Sequence, residues 1–197
     1  MNEKIIQRIN TLGGNTDAVS RDKNFFENWR SISFNHHLYD KDWDVYGIDK
    51  FHDSHKELYQ NDREKFFENL IEHYFSNHEQ PYGQYFVKDW LFTPFKENTE
   101  DYGELDGFVE ENELKEIIDG SKMELLCIFY FYGYPDHFFV CTTDPDQSNP
   151  KVYSTDHEVY FEEIENKGNM ETFLDRFMTK EEFREVVTEY LGGKLVE

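Results

Sequence analysis

The chain has 197 residues, enough to bury a full core in one domain and too few for several. Its 42 acidic side chains against 20 basic ones leave a formal charge of −22. A surface of that sign repels nucleic acid and anionic lipid, and attracts cations or basic proteins.

Aromatic residues make up 18% of the chain, which predicts a core of stacked rings more than of aliphatics. No apolar run approaches the roughly eighteen residues that a membrane-spanning helix needs. The opening MNEKIIQRIN lacks the apolar centre of a signal peptide, so a cytoplasmic location is expected.

In chain order, Ile5, Ile6, Ile9 and Leu12 recur at helical spacing before Gly13-Gly14. A polar loop follows over residues 15–22, and Phe25, Phe26 and Trp29 predict a short helix. Residues 31–39 alternate, with Ile32, Phe34, His36 and Leu38 on one side, and predict a strand that residues 43–48 would pair. Residues 49–60 lean helical. A firmer helix over residues 62–75 carries Phe66, Phe67, Leu70, Ile71, Tyr74 and Phe75 as one stripe, with Asn61 or Asp62 as its cap. Residues 82–92 read as one strand stopped by Pro94. Residues 96–107 are polar and acidic, and any seam within the chain falls there, between Pro94 and Gly107. A short helix is expected over residues 108–119, ended by Gly120.

The most apolar stretch lies further on, from Met123 to Phe161. MELLCIFYFY has a single charge, and its brevity and ring content favour a strand buried on both faces over a helix. GYPD turns it back into HFFVCTT, and DPDQSNP turns that into KVYSTDHEVYF. Three or four consecutive antiparallel strands are therefore expected. With residues 133–136 as the loop, Ile128 faces Cys141 and Cys127 faces Thr142. The two sulfurs then lie on opposite faces as free thiols. After Ile164 the pattern turns helical. Asn169 caps a turn bearing Met170, Phe173, Leu174, Phe177 and Met178. Thr179 and Glu182 have capping-box spacing for a last helix, carrying Phe183, Val186, Val187, Tyr190 and Leu191 and stopped by Gly192-Gly193. The sum is a single α+β domain: a largely antiparallel sheet flanked by helices, with a C-terminal helical pair.

Catalytic signatures are sparse. There is no G-x-S-x-G elbow and no phosphate-cradling glycine loop. His52 and His55, with Asp53 between them, are neighbours on a helix and are the one metal candidate, without a partner motif to complete a zinc site. His36 and His37 would alternate faces on a strand. DPDQSNP lacks the sixth-place glycine and terminal Glu of a calcium loop. No cofactor is implied.

Acid clustering is the stronger signal. Residues 97–119 hold ten acids against Lys115 alone, a net −9. Glu158, Glu162, Glu163 and Glu165 form a second group. Like-charge crowding costs stability, so its concentration suggests a use, such as docking a basic surface. The contact residues expected are Glu110, Glu111, Glu113 and Glu116, with Glu162 and Glu163 secondary. Trp29, Trp43 or Trp90 would supply an apolar anchor if exposed.

The order of elements from Glu124 to Leu174 resembles the SUKH superfamily, the Smi/Knr-type domain of bacterial immunity proteins and some eukaryotic adaptors. A hydrophobic strand and hairpin lead into NPKVYSTDHE, then EVYFEEI, then a helix starting near Met170 that carries Phe173-Leu174. The most telling piece is Val152 to Glu158. The resemblance covers about a quarter of the chain. The N-terminal half lacks the usual Leu-Pro entry, and residues 34–90 read as an elaboration. The resemblance implies a non-catalytic α+β domain that binds and neutralises a polymorphic toxin, often a nuclease, whose phosphate-holding surface is basic. The alternatives are a metal-dependent enzyme built on the His52-Asp53-His55 cluster, or an adaptor module that binds another protein.

Overall fold

The computed structural model describes residues 1–43, 45–76, 83–131 and 136–194. Among these, eight helices accompany a six-stranded antiparallel sheet, the α+β class expected. The sheet runs β1-β3-β4-β5-β6, with β2 also paired to β3.

Strand β3, Leu125–Phe131, is an interior strand between β1 and β2 on one side and β4 on the other, and it is buried on both faces as its apolar run predicts. It pairs with β4, His137–Cys141, which pairs with β5, Lys151–Asp156, which pairs with the edge strand β6, Tyr160–Asn169. The expected loop at residues 133–136 falls largely outside the described residues. The pairing register differs from the simple hairpin count. Leu125 lies opposite Cys141 and Cys127 opposite Phe139, with a bulge between Cys127 and Phe129. The bulge adds one residue to β3, so both thiols face the same core, where they are free and buried. It also turns Ile128 and Phe129 together into the opposite core.

The single strand expected over residues 82–92, of which residues 83–92 are described, is two short strands. β1, Gln84–Phe86, and β2, Leu91–Phe92, lie end to end along β3. The interruption sits beside the bulge, where Val87 N–H donates to Ile128 O at 2.9 Å and Cys127 N–H to Trp90 O at 3.0 Å.

One face of the sheet packs on α1, Glu3–Thr11, α2, Phe25–Ser31, and α7, Met170–Leu174. Ile5, Ile9, Trp29, Phe129 and Phe173 are its fully buried anchors. Each such side chain contributes about 1.5–3 kcal/mol by leaving water. Trp29 also satisfies its indole N–H on Val87 O at 2.8 Å. The other face packs on residues 92–118, including α6, Glu111–Ile117.

A second, helical core collects α3, Ile48–Ser54, α4, Lys56–Asn61, α5, Arg63–Tyr74, and α8, Lys180–Lys194, around Tyr39, Trp43 and Phe183. The C-terminal helices therefore divide: α7 lies on the sheet while α8 closes the helical core. α8 also runs through Gly192-Gly193 instead of ending there. Its start is as the spacing predicts: Thr179 N–H donates to Glu182 Oε2 at 2.7 Å and Glu182 N–H to Thr179 Oγ1 at 3.1 Å.

Among the described residues, the two strands expected in the N-terminal half do not form. Residues 31–40 make only isolated bridges, Ser33 to Asn15, Leu38 to Gln84 and Asp40 to Phe177. The alternation ends at His36, and His36 to Tyr39 are all buried, because this segment is sandwiched between both cores. Residues 45–47 turn instead of pairing: Val45 and Gly47 both take positive φ, 51° and 80°. The long helical lean over 49–60 breaks at His55 into α3 and α4.

Candidate functional site

Phe92 ends β2 just before the acidic stretch, and Phe161 is the second residue of the acidic edge strand β6. Their rings stack with centroids 5.0 Å apart and planes 15° apart. Around that stack Leu105, Val109, Leu114 and Ile118 are buried, so the segment from residue 97 to 118 is tied down on the sheet beside β6. The two acidic groups of the sequence are thereby brought together.

They meet at a groove of about 210 Å³. Glu104, Glu158 and Glu162 line it, with Leu105, Phe108, Val109, Val159, Tyr160 and Phe161. Phe108 is 70% exposed, the most exposed of the large apolar side chains among the described residues, and Tyr102 nearby in sequence is 53% exposed. Local backbone chemistry explains the presentation of Phe108. Gly103 and Gly107 take φ of 83° and 81°, so successive turns hold residues 101–108 out of helical conformation. Tyr160 is itself left-handed at φ 46°, a position most side chains avoid. Burial pushes its phenol well above the ordinary range, and Glu104, Cys127 and Asp101 push it further up. The groove is thus a region of negative potential with an aromatic wall.

Of the expected contact residues, Glu162 lies on this groove. Glu162 and Glu163 also line a neighbouring depression with Ile117, which is 46% exposed. Glu110 is exposed, but it precedes α6 as its N-cap instead of stepping along the helix. Glu113 is engaged locally, its carboxylate accepting from Glu110 N–H at 2.8 Å. Glu111 pairs with Lys115 at 2.8 Å. Glu116 is exposed. The free negative field therefore comes more from Glu104, Glu116, Glu158, Glu162 and Glu163 than from the first turn of α6. None of the three tryptophans is exposed: Trp29 and Trp43 are buried, and Trp90 is half-buried against Phe139. The exposed ring beside the acids is Phe108. A sequence signal for it exists, an isolated ring after a glycine inside an acidic run.

Among the described residues, His52, Asp53 and His55 do not converge as a set of three metal-ligating groups. His55 stacks on Phe51 at 4.2 Å and holds Phe51 O with Nδ1 at 2.9 Å. His52 sits edge-on to Tyr59 at 4.9 Å. Both rings are packed against aromatics at the junction of α3 and α4. His36 and His37 are likewise buried among rings. In DPDQSNP the carboxylates serve the backbone: Asp144 accepts from Asp146 N–H and Lys151 N–H, and Asp146 from Ser148 and Asn149. Among the described residues, one trio of donors converges, Asp136, Asp156 and His157. It is mostly exposed, and His157 Nδ1 lies 2.9 Å from Asp136 Oδ1. That hydrogen bond raises the His157 pKa above its ordinary value.

Among the described residues, no helix is long and apolar enough to cross a membrane. No family model matches the chain, and neither a curated protein nor a solved structure does.

Proposed function

We propose that this chain is a non-catalytic binding protein, an immunity protein of the SUKH kind that neutralises a toxin domain by occupying its basic, phosphate-holding surface. The reading draws its class from the resemblance of residues 124–174 and its surface from the acidic face. The single observation that carries the surface is the meeting of two sequence-distant acidic segments around exposed Phe108. An exposed ring ringed by charge has the make-up of an interface: an apolar anchor sets the off-rate, and surrounding charge steers encounter. With a formal −22, association with a basic domain rises towards ~10⁸ M⁻¹s⁻¹ at low salt.

The test is co-expression with a basic nuclease domain encoded beside it. Rescue of growth, with a complex whose affinity falls steeply with salt, is the expected result. Neither rescue nor a complex at low salt would remove the toxin reading. An adaptor binding another basic protein uses the same face and predicts a complex without rescue.

A further inference from the structure

The groove beside Phe108 has a size, a charge and a wall chemistry that together specify an occupant. At about 210 Å³ it is smaller than the roughly 300–1,000 Å³ of pockets that hold cofactors or drug-sized ligands. One inserted side chain suits that volume. Its carboxylates are Glu104, Glu158 and Glu162, and among the described residues no Lys or Arg lines it. An anionic or neutral polar occupant leaves those charges crowded, whereas a cation offsets them. Its remaining lining is apolar or aromatic, with Leu105, Val109 and Phe161 buried and Phe108 standing exposed at 70%.

We propose that this groove is a socket for one arginine side chain of the protein partner. Arginine fits better than lysine for three reasons. Its guanidinium is planar and stacks on a ring such as Phe108 or Tyr160. It is more weakly hydrated than an ammonium, so entering a half-apolar groove costs less. Its fork of N–H donors engages two carboxylates at once, where a lysine acts as a point charge. The site is also held in place before binding. Phe161 is locked by the stack on Phe92, and the left-handed Tyr160 is fixed between Phe161 and Phe92, with ring centroids at 4.7 and 6.0 Å. A second copy of this chain is an unfavoured occupant, because two molecules each carrying −22 repel.

The inference deepens the docking reading above, but its test needs no partner. The whole chain, labelled with ¹⁵N, is titrated with N-acetyl-arginine methylamide, its lysine counterpart and the uncharged citrulline counterpart. Saturable amide shifts confined to residues 104–109 and 158–162, strongest for arginine, are expected. Glu104→Gln with Glu162→Gln, both exposed and nearly isosteric, should weaken that binding about fivefold or more. Phe108→Ala should weaken it about two- to fivefold. Equal shifts from citrulline overturn the socket, as do arginine shifts spread over acids across the whole surface. Stronger binding of lysine overturns the choice of arginine. If the socket binds arginine while no toxin partner is found, the immunity reading fails and the socket stands.

Discussion

Phe92 and Phe161 lie face to face at 5.0 Å although they are far apart in the chain, and this stack is what sets the two acidic segments side by side. Phe92 is fully buried and Phe161 nearly so. Phe92→Ala is expected to cost about 3–5 kcal/mol, as for other fully buried rings. Urea unfolding measures it. A cost below about 1 kcal/mol would mean that the segment over residues 97–118 is held by other contacts.

Charge reversal tests the acidic face. Glu116→Lys with Glu162→Lys should slow association with a basic partner about tenfold at low salt, with little change in dissociation. The effect should shrink as ionic strength rises and the Debye length shortens. Stopped-flow mixing reads both rates. An association rate unchanged by the double reversal would place the contact surface elsewhere.

The reciprocal bonds of Thr179 and Glu182 anchor α8, which closes the helical core over Phe183 and Val187. Thr179→Ala should therefore cost about 1 kcal/mol. The loss should appear as a lower denaturant midpoint with an unchanged slope. A stability equal to that of the parent chain would show that the cap is replaced by solvent.

His36 gives the fold a pH dependence with a definite sign. Its ring packs beneath Gly13 and against Phe34 and Phe75. Nδ1 lies 2.8 Å from His37 O, so in the neutral form it is the nitrogen that carries the proton. Nε2 is buried without a partner among the described residues. A second proton would add a charge and a donor with nowhere to go, so burial lowers the pKa from 6.5. The unfolded chain then binds the proton first on acidification. Stability is present above the ordinary histidine range and is lost as pH falls through about 6.5 towards the folded value. His137, also lowered by burial, acts in the same direction. His157, raised by its hydrogen bond to Asp136, acts in the opposite one. His36→Gln should flatten the fall in melting temperature between about pH 7 and 5. An unchanged slope would assign the acid sensitivity to other groups.

What could be read from the chain alone was set by short-range chemistry. The helices α1, α2, α5 and α8 follow from 3.6-residue periodicity, with caps legible at Asp62 and Thr179; Asn2 and Asn24, which the structure shows capping α1 and α2, likewise act within three residues. The apolar runs after Met123 predict three or four consecutive antiparallel strands, and the structure has four, β3 to β6. The clustering of acids was equally plain. The segment from Ser31 to Tyr39 was misleading because its alternation is local. Its neighbours, Asn15, Gln84 and Phe177, come from three different parts of the chain and allow no continuous ladder.

Tertiary structure alone decided the bulge that puts Cys127 and Cys141 on one face, since nothing near Ile128 in sequence marks an extra residue. It also decided which acids remain free. Glu111 and Glu113 are taken up by Lys115 and by the start of α6, while Glu104 and Glu162 meet at the Phe108 groove. Periodicity and capping are written within a few residues of where they act. Register and the convergence of distant side chains depend on how many contacts form at once, and that sum exists only when the whole chain is packed.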